Sequence, residues 1–64
     1  MLAALALARN QAEADLHEAF AYWLYEVQRD TATNHASSVA FRAYETARDR
    51  YDALSVRVQQ ELAA

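Results

Sequence analysis

The sequence predicts an all-α protein, a two-helix antiparallel hairpin spanning residues 1–64 as one domain and pairing into a four-helix bundle. Three observations predict it. Glycine and proline, the usual helix breakers and turn makers, are both absent, while sixteen of the 64 residues are alanine, the strongest helix former. The large apolar residues fall into two stripes at helical spacing. A polar gap separates the stripes, with no large apolar residue between Val27 and Val39.

The first helix is expected over residues 3–30. Leu2, Leu5, Leu16, Phe20, Trp23, Leu24 and Val27, with Ala12 filling a gap, occupy a stripe of about 120° at about 100° per residue. Arg9 interrupts that stripe and Glu13 lies at its edge. The gap is rich in Asp, Thr, Asn and Ser, which compete with the helical backbone for hydrogen bonds and prefer caps and turns. It predicts a turn at 31–34, with Thr33 or Asn34 as N-cap of the second helix and Asp30 or Thr31 as alternatives. The second helix is expected over 35–62, where Ala36, Ala40, Ala43, Ala47, Tyr51, Leu54, Val58 and Leu62 share one face. A single long rod is the competing architecture, but it requires an apolar stripe that continues through the gap.

A fold-back in the gap pairs positions whose numbers sum to about 66, since short loops join antiparallel neighbours. Phe20 and Trp23 are then expected opposite Ala43 and Ala47, Val27 opposite Val39 and Ala40, and Leu16 opposite Tyr51. The predicted hairpin core is Leu16, Phe20, Trp23, Leu24 and Val27 on the first helix, and Ala40, Ala43, Ala47, Tyr51, Leu54 and Val58 on the second. Large residues oppose small ones near the turn, as in interdigitated interiors. At the open end the pairing brings Arg9 near Glu61 and Glu13 near Arg57, either as interhelix ion pairs or, equally, as solvated flank charges.

Composition narrows the function. A chain this short buries a small share of its surface and usually needs a disulfide, a metal or association for stability. It has no cysteine, which removes disulfides, thiolate metal sites and cysteine nucleophiles, and leaves the redox compartment open. The net charge of −3 is carried by residues 1–30, and residues 31–64 balance to zero. Nucleic-acid binders normally show a basic stripe, and none is present. The apolar opening of the chain lacks the positive start of a secretory signal, and no stretch approaches the about 20 apolar residues of a membrane span. A cytoplasmic protein is expected. All six basic residues are arginine and isoleucine is absent, which points to a GC-rich bacterial or phage genome.

Tyr22, Tyr25 and Phe41 belong to neither stripe, and Leu7 and Val56 behave similarly at the open end. These five are the predicted oligomer or partner interface, because apolar groups gathered outside a seam mark binding surfaces. Tyr22-Trp23-Leu24-Tyr25 puts large groups on every side of one turn, as in a helix surrounded by other protein. His17, one turn after Glu13, is expected as a partly buried structural residue, since the several inward Glu residues of a helical metal site are missing. His35 is expected solvated in the turn. Glu45, Asp49 and Asp52, with Arg42 and Arg48 between them, resemble a solvated face with i,i+3 and i,i+4 pairs. No catalytic residue, metal or cofactor is expected. The final Leu62-Ala63-Ala64 resembles the tail by which bacterial proteolytic machines recognise tagged proteins, although Leu62 also suits the closing layer of the core.

The architecture resembles the short helical hairpins that pair into antiparallel four-helix bundles, among them plasmid copy-number regulators that bind RNA. That resemblance rests on length and turn position, and an acidic first helix replaces the basic groove that RNA binding needs. The expected function is therefore a non-enzymatic interaction or assembly module that acts through apolar helix faces. Its partner is itself, as a homodimer, or another protein. A phage or mobile-element inhibitor docking on a host protein is the first alternative, and an RNA-binding regulator the second.

Overall fold

Eight alanines and a single β-branched residue, Val27, make residues 2–29 a strong helix former before any packing. The computed structural model describes residues 1–29 and 35–64, with the backbone alone for 35 and 36. It contains two helices, α1 (Leu2–Arg29) and α2 (His35–Ala63), and every described residue except Met1 and Ala64 is helical. Bonds from Leu5 N–H to the Met1 carbonyl and from Ala64 N–H to the Gln60 carbonyl, both 3.1 Å, carry the helical pattern to the ends. Arg29 supplies a cation to the last turn of α1, where the helix dipole favours one. The proposed caps at Asp30, Thr31, Thr33 and Asn34, and the turn itself, lie outside the described residues. His35 is the first residue of α2.

The helices pack side by side as an antiparallel hairpin. As α1 advances from Asp15 to Phe20 and Trp23, its partners on α2 retreat from Arg50 to Tyr44 and Phe41. The pair sums, 65, 64 and 64, sit close to the expected register. Extents of 51 × 13 × 11 Å are those of two helices of 28 and 29 residues side by side, and exclude the rod.

The seam repeats every seven residues, in alternating steps of three and four. On α1 it comprises Leu5, Arg9, Ala12, Leu16, Ala19, Trp23 and Glu26, all buried or half-buried. On α2 it comprises Ser37, Ala40, Tyr44, Ala47, Tyr51, Leu54 and Val58, again all buried or half-buried. A period of 3.5 rather than about 3.6 residues is that of helices wound as a coiled coil. This departs from the expected core in four places. Tyr44, not Ala43, meets Phe20 and Trp23, and Ala43 is exposed on the flank. Glu26, not Val27, enters the seam near the turn, and Val27 is 46% exposed. Phe20 and Leu24 are each 40% exposed beside the seam, not within it. Leu62 is also exposed, at the open end. Leu16, Trp23, Ala40, Ala47, Tyr51, Leu54 and Val58 lie in the seam as expected.

The buried hydrophobic residues are Ala12, Ala40 and Val58, and among the described residues no large side chain is fully buried. Small residues at the buried positions let the backbones approach, so contact is close but its apolar area is modest. The ion pair joining the helices is Arg50 with Asp15 at 3.5 Å, and neither open-end pair forms among the described residues. Both side chains of that pair are more than half exposed, which limits its worth to about 0–1 kcal/mol. The Ser55 hydroxyl is buried and has no hydrogen-bond partner among the described residues. Ser55→Ala is therefore expected to raise stability by about 1 kcal/mol in a thermal melt, by removing a desolvated polar group and improving helix propensity. A fall in melting temperature would show that the hydroxyl is satisfied in solution.

Candidate functional site

The turn-proximal half carries nearly all the aromatic surface. Trp23 of α1 and Tyr44 of α2 stack across the seam, with ring centroids 5.7 Å apart and planes 18° from parallel. Phe20 and Phe41 each touch both of them, Phe20 at 6.0 and 5.6 Å and Phe41 at 5.0 and 6.2 Å. The spacings are those of favourable offset and tilted pairs, each worth about 0.5–1.5 kcal/mol beyond its buried area. The cluster exists because the heptad step places Trp23 and Tyr44 inside the seam, with the two phenylalanines at its edge. Tyr44 lies outside the core expected from the sequence. The signal for it was the three-four spacing of Ala40, Tyr44, Ala47 and Tyr51.

Two flanks border this cluster, and they differ in chemistry. Phe20, Leu24 and Val27, at i, i+4 and i+7, line one flank of α1, with Phe41 facing them from α2. All four are between 37% and 46% exposed. Tyr22 and Tyr25 lie on the other flank, which Asp15 and Arg50 bridge. The Arg29 guanidinium covers the Tyr25 ring at 5.7 Å and also donates a 2.8 Å hydrogen bond to the Glu26 carboxylate. Phe41 is thus separated by the seam from the two tyrosines with which it was grouped. Leu7 and Val56, 60% and 55% exposed, face outward on the backs of the helices in the open half. The structure leaves the five predicted interface residues exposed but distributes them over different sides.

The other sequence candidates take ordinary places. His17 is exposed, not partly buried, because the heptad seam passes through Leu16 and Ala19 and leaves it outside. Glu45 is half-buried, whereas Asp49 and Asp52 are exposed, with Asp49 3.7 Å from Arg48. Arg48 in turn lies over the Tyr44 ring at 5.9 Å. Among the described residues no group of three His, Asp or Glu side chains is placed to hold a metal ion. An open groove of about 430 Å³ lies on the tyrosine flank, lined by Ala12, Asp15, Arg42, Ala43, Thr46, Ala47 and Arg50, and another of about 430 Å³ lies beside Trp23 and Phe41, lined also by Ser37, Ser38, Arg42 and Glu45. The first exists because three of its walls are alanine, and its two central charges, Asp15 and Arg50, are engaged with each other. No described helix is long and apolar enough to cross a membrane.

No protein-family model matches the chain, nor does any curated protein or solved structure.

Proposed function

We propose that the protein is a non-enzymatic interaction module whose apolar helix faces are completed by a second protein chain, foremost another copy of itself in a four-helix bundle. The observation that carries this reading is the missing core. Its largest aromatic, Trp23, is only half-buried, and among the described residues the buried apolar set is two alanines and a valine. A chain of 64 residues with so little apolar burial is marginal alone, and association supplies the burial that it lacks. A cytoplasmic location goes with this reading.

Sedimentation equilibrium at micromolar concentration tests it, together with melts over a concentration series. The expected result is a dimer with a melting temperature that rises with concentration. A well-folded monomer without a partner would contradict the proposal. Docking on a different protein, as a phage or mobile-element inhibitor does, is the variant of the same reading that capture of one defined partner from source cells would favour. An RNA-binding regulator has less support, because Arg50 is held by Asp15, and Arg48 lies against Asp49 and the Tyr44 ring. Salt separates the two classes. Chains of net charge −3 repel one another, so self-association is expected to strengthen as salt rises, whereas nucleic-acid affinity falls steeply.

A further inference from the structure

We infer that a second copy of this chain covers the flank formed by Phe20, Leu24, Val27 and Phe41, and that the Tyr22–Tyr25 flank stays in water. This rests on the self-association reading above and specifies the face that it uses. The first argument is area. A compact monomer of 7.2 kDa exposes about 4,100 Å², and the hairpin exposes 4799 Å², an excess of roughly 700 Å². A standard protein interface takes about 800 Å² from each partner, so one covered flank brings the chain to ordinary burial. Covering both flanks would require more surface than the excess provides.

Chemistry selects the flank. Phe20 and Phe41 are the outer members of the four-ring cluster, so their exposed edges continue the seam outward as one apolar surface. Leu24 and Val27 extend it along α1 at helical spacing. An isologous dimer needs a self-complementary patch, and these four apolar residues form one near the turn, bordered on α2 by Arg42, Glu45 and by Arg48 over the Tyr44 ring. On the opposite flank, burial would strip water from the Asp15–Arg50 pair and from Arg29 over Tyr25. Desolvating such pairs seldom returns what it costs. Tyr25, 60% exposed beneath a guanidinium, is stable where it is.

Leu24 and Tyr25 are neighbours in sequence, both exposed and both mid-helix, so the same substitution at each is a matched pair. In the full chain, Leu24→Glu is expected to weaken dimerisation about 100-fold or more, because the charge is buried twice in a symmetric dimer. Tyr25→Glu is expected to leave the dissociation constant within about threefold. Sedimentation equilibrium reads both, with circular dichroism alongside. Should Leu24→Glu unfold as it dissociates, hydroxyl-radical footprinting of the unaltered chain decides. Phe20, Leu24 and Phe41 should become protected as concentration rises, while Tyr22 and Tyr25 stay reactive. A dimer that survives Leu24→Glu, or one that protects the tyrosines instead, overturns this face and leaves self-association standing. A monomeric unaltered chain overturns both.

Discussion

Replacing Trp23 with alanine is expected to abolish the fold, not merely to loosen it. Trp23 touches Phe20 on its own helix and Phe41 and Tyr44 on α2, and so ties the two helices together. Phe or Trp to Ala in a packed interior costs about 3–5 kcal/mol, and half-burial discounts that to roughly 2–4. Chains below about 70–80 residues seldom hold more than about 3–5 kcal/mol from one core. The loss therefore consumes most of the available stability, and helicity in far-ultraviolet circular dichroism should collapse at room temperature. Most helical stability in a protein comes from packing of an amphipathic face, so the helicity that remains is expected to melt without a cooperative transition. Trp23→Phe, which keeps a ring against Tyr44, should stay folded with a lowered melting temperature. Tyr25→Ala, far from the cluster, should change little. If Trp23→Ala melts within about 4 °C of the unaltered chain, the four-ring cluster is not what holds the hairpin.

The hairpin is legible in the sequence because it depends on coarse signals. The missing breakers, the alanine excess and the polar gap are averages over many residues, and no single misplaced side chain alters them. The seam was less legible, for a geometric reason. A straight helix at about 3.6 residues per turn drifts about 20° per heptad from a seam of period 3.5. Over the four heptads of each helix that drift moves the buried stripe by nearly a full neighbouring position. The wheel therefore selected Ala43 where the seam takes Tyr44, and Val27 where it takes Glu26. Both errors favoured the chemically obvious residue, alanine for close approach and valine for burial. Phe41 shares with Tyr22 and Tyr25 only its place outside both stripes near the turn, and the coiled seam sets it on the opposite flank from them. Counting steps of three and four from Ala40 finds Tyr44, Ala47, Tyr51, Leu54 and Val58 in turn, so the information was present in the spacing. Glu26 was concealed differently, since its burial depends on a neighbour, Arg29, rather than on hydrophobicity.

That carboxylate gives the second large expectation, which takes opposite signs at two residues three apart. Glu26 is 5% exposed in an otherwise mostly apolar seam, and its Oε2 accepts a 2.8 Å hydrogen bond from Arg29 Nη2. The guanidinium side of the pair is 60% exposed, so the carboxylate is largely dehydrated while its partner remains in water. Removing the donor leaves a buried carboxylate short of that bond, and Arg29→Ala is expected to cost about 1–3 kcal/mol. Replacing the carboxylate itself fills a seam position with apolar bulk, and Glu26→Leu is expected to stabilise by about 1 kcal/mol or more. For a domain of this size each kcal/mol moves the melting temperature by about 4–8 °C, so both shifts are measurable in opposite directions. In the Glu26→Leu background, Arg29→Ala should lose the part of its effect that comes from Glu26. A polar group at one seam position also fixes register and oligomer state in coiled coils at a cost in stability. Glu26→Leu should accordingly broaden the sedimentation distribution while raising the melting temperature. Destabilisation by Glu26→Leu would instead make the Glu26–Arg29 pair a net contributor to the fold, and its burial a matter of stability rather than of register.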